Sequence, residues 1–513
     1  MEIDKPISTK YKELLRFFKL ERAAENIPSV SILIASLYRN IGLSPESEKS
    51  TNIRAQELYS KIEGTEPIGD QLSNDDLKLL FNSSLSIPTS AEQDKKKKFF
   101  ITPFVPEVAS FGLSSRNTGS PWNPGGLLIE VIANYSNSKQ EFIQISKSLY
   151  DGLSVQDEND LDWWSIFISR ELQSICKKLN IKEPLGFQRD AFEKMYDTGI
   201  NSVGGGSNRF KKNVLHNSNI AKCVLTDLKN IIKLKSTLTR QKWLGILEAY
   251  LRLTLFNHLI YTMTLSRKYY RLIETTLGDS KITIGTQGLN DFLNHPEEKD
   301  HTPINLLTKR TDYINITVRK YCYYNNLLFE LLKANGSDKF EDFKDEKDFL
   351  DFTNELLAKL KDKKTLDDFM SNFKISNESQ LDEISEIYPR TLKNIKESLE
   401  YLCSKKPPSM SNFIPDVNYI FNRKIHKGNA PYEFEMSAGL ISTLTCLIFL
   451  KVDRERKFMS GLEFVKYLKD YNIELNIKDI SEGELKNTMQ SLGIIIDSPD
   501  TEGGVLILKP GWV

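Results

Sequence analysis

The sequence predicts a mainly α, multi-domain helical protein. The strongest observation is a single helical pattern running unbroken from Thr239 to Leu277. Apolar residues also recur at spacings of three and four through most other segments, the period of a helix with one buried face. Finally, 513 residues with 40% apolar and 27% charged content are too many for one compact core and too apolar for a disordered chain. Changes in composition divide the chain into 1–90, 99–200, a basic centre 201–335, an acidic region 336–405 and a terminal module 430–513.

Several classes are excluded at this stage. Cys176, Cys223, Cys322, Cys403 and Cys446 are scattered and form no CxxC pair, which argues for reduced thiols rather than a disulfide framework or zinc ribbon. Met1 to Pro6 lacks a basic stretch followed by an apolar one, and Leu440 to Leu450 is too short to span a bilayer. A cytoplasmic protein without membrane contact is expected.

In order, residues 8–43 predict two short helices, and 52–62 and 74–81 continue the helical habit. Residues 83–98 are a linker ending in Lys95 to Lys98, a run that suits a solvated loop. Leu127 to Ile132 suits a buried strand or the start of a helix. As a strand, Glu130 would sit as in a restriction-type nuclease, but the lysine such a site needs two residues on is Ile132 here. Leu161 to Leu179 predicts a helix with Trp163, Trp164, Ile166, Phe167, Leu172 and Ile175 inward and Lys177 and Lys178 at the end where the helix dipole favours cations.

The charge map is more informative than the zero net charge of 69 basic against 69 acidic residues. Gly205 to Trp243 holds nine basic residues and Asp227 alone, a net of +8. The region 336–388 is −7 and 430–513 is −4. Only the centre is suited to a polyanion. Its candidate phosphate contacts are Arg209, Lys211, Lys212, Lys222, Lys229, Lys233, Lys235, Arg240 and Lys242. The first three follow the glycine-rich stretch Ser202 to Ser207, which lacks the Gly-Lys-Ser/Thr of a phosphate loop. The middle four lie on an amphipathic helix over 221–234 and its end, with Arg267, Lys268, Arg271, Lys309, Arg310, Arg319 and Lys320 as extensions. Such contacts carry affinity without sequence information.

Asp291 to His301 gathers His295, Glu297, Glu298, Asp300 and His301, but two prolines make it a loop with no metal-binding spacing. Thr311 to Leu332 predicts another apolar helix, and Phe349, Phe352, Leu356 and Leu360 give the acidic region a buried face.

In the terminal module, helices are expected over Ala438–Leu450 and Ser460–Tyr471, and a third opens at Ser481 with a capping box to Glu484. Ile494 to Ile496 and Val505 to Leu508 then read as a hairpin. Three helices followed by a hairpin resembles a winged helix. That resemblance implies DNA contact through the third helix and the hairpin loop. Here those offer Glu482, Glu484, Asp497, Asp500 and Glu502, which repel phosphate, so Lys486, Asn487 and Gln490 are expected to contact a protein partner instead.

The chain carries no catalytic constellation, and no cofactor or metal is expected. In overall style it is similar to the helical accessory subunits of bacterial anti-phage defence systems. That resemblance implies a non-catalytic, nucleic-acid-associated (DNA or RNA backbone) subunit of a multiprotein complex. The alternatives are a protein-only scaffold or adaptor and a nuclease or metal-dependent enzyme of unrecognised type.

Overall fold

In the computed structural model, the described residues are 33–34, 37–38, 41, 60–77, 124–154, 163–179, 201–202, 206–207, 215, 218–278, 284–294, 304–305, 312–334, 346–371, 417–423, 432–452, 455–500 and 504–511. They are mainly helical. The linker 83–98, the His295 to His301 loop, and Arg209, Lys211 and Lys212 lie outside them.

Helices α1 (Pro124–Tyr135), α2 (Lys139–Leu153) and α3 (Trp163–Lys178) come first. The ambiguous 127–132 stretch is helical. Leu127, Leu128, Ile129, Val131 and Ile132 are all buried, and a helix buried on every side leaves no periodic trace in its sequence. Glu130 therefore sits on a helix, and the acidic strand of a nuclease site is not formed there. In α3 the inward face is Ser165, Ile168, Leu172, Ile175 and Cys176, whereas Trp163 is 75% exposed at the first helical position. Its expected place in the core is thereby corrected: the buried stripe passes through residues two and five positions on.

Two-residue strands β1 (Asn201–Ser202) and β2 (Gly206–Ser207) pair antiparallel. Helix α4 (Asn219–Leu234) follows, with Ser218 Oγ accepting the Ala221 amide as its N-cap. Next comes α5 (Arg240–Gly278), the 39-residue helix around which the rest packs. Most of its residues from Trp243 to Leu277 are buried, polar as well as apolar, with Glu248, Arg252, Asn257 and His258 among them. Its walls are α1, α4, α6 (Thr286–Asn294), α7 (Asp312–Ala334), α8 (Glu346–Leu360), α9 (Lys363–Ser371) and α10 (Ala438–Val452). Among the described residues no helix is long and apolar enough to cross a membrane.

Several polar groups inside α5 have specific partners, as burial favours. Arg252 donates to the Asn418 carbonyl, and Trp243 Nε1 donates to the Ile231 carbonyl at 2.8 Å. Tyr135 and His258 Nδ1 are hydrogen-bonded at 2.8 Å. Burial pushes His258 down to about 4, so the ring is neutral.

Past α9, β4 (Phe421–Arg423) pairs with β5 (Tyr432–Phe434) just ahead of α10. The terminal module continues with β6 (Phe458–Ser460), α11 (Gly461–Leu468), a 3-10 turn over Lys469–Tyr471, β7 (Ile473–Glu474), α12 (Ile477–Ser481), α13 (Gly483–Ser491), β8 (Ile495–Asp497) and β9 (Val505–Leu508). Strand β9 is central in an antiparallel sheet of order β6-β9-β8. The expected capping box at Ser481 is not the one formed. It lies at Asn476 and Asp479 and opens the short α12, while α13 starts at Gly483, whose φ of 84° suits only glycine comfortably. Strand β3 (Ile304–Asn305) pairs in parallel with β7. A single contiguous apolar cluster runs from Leu33 to Ile507.

Candidate nucleic-acid interface and the adjoining cleft

Helix α4 has two unlike sides. Ala221, Val224, Leu225, Leu228, Ile231 and Leu234 are buried, and Lys222, Thr226, Lys229 and Lys233 form an exposed stripe at steps of four, three and four. On a helix the lysines stand roughly 10 Å and 6 Å apart along the axis. Lys229 Nζ reaches Glu141 Oε1 at 2.5 Å across to α2. Burial works to raise the Glu141 carboxyl, but Lys229 and the Asn137 amide outweigh it and hold it below the usual range. Such a half-exposed pair is easily exchanged for another anion.

The remaining described candidates divide. Lys242 is exposed one turn into α5. Lys235 is half-buried, with Nζ 3.5 Å from the Asp151 carbonyl. Arg240 is 7% exposed and donates to the Gly152 and Leu153 carbonyls at 3.4 and 2.6 Å. These carbonyls end α2 and lack helical partners of their own, so Arg240 caps a helix C-terminus and faces away from solvent. Arg267 and Lys268 are likewise buried, beside the rings of Tyr324 and Tyr261, and extend no surface patch. A basic residue on an apolar helix is compatible with either fate in sequence, and only the neighbouring carbonyls and rings decide.

In the terminal module, Asn487 and Gln490 are exposed on α13. Lys486 is half-buried and bound to Asp497 at 2.6 Å, and Gln490 Nε2 lies 3.4 Å from the same carboxylate. The outer face of the three-stranded sheet carries Phe458 and Ile496, 54% and 46% exposed, on either side of Leu506 and Leu508.

Sequence reading missed a cleft of about 760 Å³ where α4, α5 and α6 meet the module. Asn219, Lys222, Cys223 and Thr226 come from α4, Asn257 and Tyr261 from α5, Leu293 and Asn294 from the end of α6, and Lys451, Lys469 to Asn472 and Glu474 from the module. Behind it Asp227 has no exposed side-chain surface and meets Lys451 Nζ at 3.3 Å. Burial alone would lower Lys451, but Asp227 and the Cys223 sulfur outweigh it and raise the ammonium. Lys451 Nζ also lies 3.0 Å from Cys223 Sγ and 4.5 Å from the Tyr471 ring centre. Burial, then the Asp227 charge, push the Cys223 thiol up to about 12, which keeps it protonated and unreactive. The one sequence signal for this cluster was Asp227 itself, the lone acid among nine bases, placed on the apolar face of α4.

Among the described residues no group of three or more His, Cys, Asp or Glu could hold a metal ion. No protein-family model, no curated protein and no solved structure matches the chain.

Proposed function

We propose that the chain is a non-catalytic, nucleic-acid-associated subunit of a multiprotein complex, holding a phosphate backbone along α4. The observation that carries this is the exposed stripe of Lys222, Lys229 and Lys233 on a helix whose other side is buried. A row of ammonium groups on an anchored helix attracts a polyanion without ordering any backbone, and binding releases counterions condensed on the nucleic acid. Lys242 continues the row past the bend into α5. Arg240 and Lys235 contribute by bracing α2 against this surface.

The terminal module supports a docking role. Its order of helix, strand, helix, two-residue strand, two helices and hairpin is compatible with the winged-helix resemblance. Asn487 and Gln490 stand exposed on the helix that would face a partner, and Lys486 is already occupied by Asp497. A bacterial anti-phage assembly is the setting that the resemblance of the chain suggests.

Binding of labelled duplex and single-stranded DNA and RNA, titrated against salt, tests the proposal. Three phosphate contacts predict an affinity that falls with salt at a log–log slope of about −2 to −3. Reversing Lys222, Lys229 and Lys233 to Glu should abolish binding while leaving the melting temperature unchanged. A flat salt response, or full binding by the triple variant, rules it out.

A protein-only scaffold is the second reading, favoured by the half-exposed Phe458 and Ile496 on the outer sheet face. Co-purification of a partner that withstands nuclease and is lost in Phe458→Asp would favour it.

A further inference from the structure

The cleft opens directly onto the lysine stripe, because Lys222 and Thr226 belong to both. Its own charge is balanced. Lys222, Lys451 and Lys469 are offset by Asp470, Glu474 and the buried Asp227, and Lys469 lies 3.8 Å from Glu474. A phosphate would meet the two carboxylates and gain little there, whereas a neutral polar body is not opposed. Ile220, Ile260, Tyr261 and Leu293 supply an apolar wall. At the floor, Asn257 is 8% exposed, and its Nδ2 donates to the Tyr471 carbonyl at 3.1 Å. That bond fixes the amide orientation, since the flipped form would set two oxygens against each other. Its Oδ1 is buried and accepts no hydrogen bond among the described residues. An unanswered buried acceptor is costly, and it is answered by an N–H donor.

We propose that this cleft receives an unstacked base of a single-stranded nucleic acid whose phosphates run along Lys222, Lys229 and Lys233. This rests on the backbone-binding function proposed above and adds to it a preference for single strands. The volume of about 760 Å³ lies within the range of small-ligand sites and exceeds what one base needs. Every nucleobase has a flat apolar face for the Tyr261 and Ile260 wall. Each of the four common bases in DNA also carries an N–H, so the site is tolerant of sequence. Base and phosphate thus separate by chemistry: the neutral ring enters where charges cancel, and the anionic chain stays where they do not.

The test compares fluorescein-labelled oligothymidine with the same strand built from abasic sugars, each measured by anisotropy on the full chain. The intact strand should bind roughly tenfold tighter or more, the scale of one base stacked on protein. Asn219→Trp intrudes on the cleft from an exposed position at the start of α4, outside the lysine stripe. It should erase that difference while leaving the abasic strand's affinity unchanged. Lys229→Glu with Lys233→Glu should weaken both strands together. Equal binding of intact and abasic strands overturns the base site and leaves backbone binding intact, as does a difference that survives Asn219→Trp in a protein of unchanged melting temperature. Binding of neither strand removes both proposals.

Discussion

Lys451 Nζ lies 3.3 Å from Asp227 Oδ2, joining the first helix of the terminal module to the helix that carries the lysine stripe. The acid has no exposed side-chain surface and the lysine only 17%. Two charges this far from water are stable only as a pair, so the contact holds the module in one position rather than adding much net stability.

Lys451→Met should therefore be far more harmful than its size suggests. It strands the Asp227 carboxylate and is expected to cost about 3–5 kcal/mol in urea unfolding. The double variant Asp227→Leu, Lys451→Met should recover much of that loss. Additive losses would show that the two side chains act independently.

Acid should destabilise the fold through His258. Its ring is neutral and buried, with a folded value of about 4 against an unfolded value near 6.5. The unfolded chain thus binds the extra proton between those values. The contribution is complete above about pH 6.5 and is lost as pH falls through about 4. It amounts to at most about 3 kcal/mol. His258→Gln should flatten the stability profile of melting temperature across this interval; an unchanged profile would assign the acid sensitivity elsewhere.

Cys223 should resist alkylation even though part of it reaches the cleft. With the thiol near 12, the thiolate fraction at pH 8 is about one in ten thousand. Iodoacetamide labelling followed by peptide mass mapping should find it unmodified in the native chain and modified in urea. Rapid native labelling would mean that Lys451 stabilises the thiolate after all.

Gly439 admits no side chain. A Cβ there would stand 2.6 Å from the Val417 carbonyl oxygen, which already accepts the Gly439 amide at 2.8 Å. The obstacle is backbone and cannot swing aside, so Gly439→Ala should cost at least about 1–3 kcal/mol by thermal melting. A neutral outcome would mean that the 417–420 segment is not held against α10.

The helical class and the central helix were legible because hydrophobic period is a local property. Arg240–Gly278 matches the predicted 239–277 almost to the residue. Helix α10 and the hairpin were legible for the same reason. Strand β6 was not, since Phe458-Met459-Ser460 is three residues long and is a strand only because β9 lies beside it. The candidate site divided along the same line. Lys222, Lys229 and Lys233 are exposed as their helical phase predicts, whereas Arg240 was taken by the carbonyls of another helix and Trp163 fell just outside the buried stripe. The cleft was invisible because its walls come from four distant stretches, and nothing in any one of them marks a floor at Asn257.

The all-round burial of α5 also dictates the order of assembly. A helix without a solvent side gains nothing by forming early, since it has no water-compatible state until its neighbours arrive. Helix α10 is synthesised after every other helix that walls α5. A nascent chain halted before it would hold its longest hydrophobic rod with one wall missing, an invitation to chaperone capture or to aggregation.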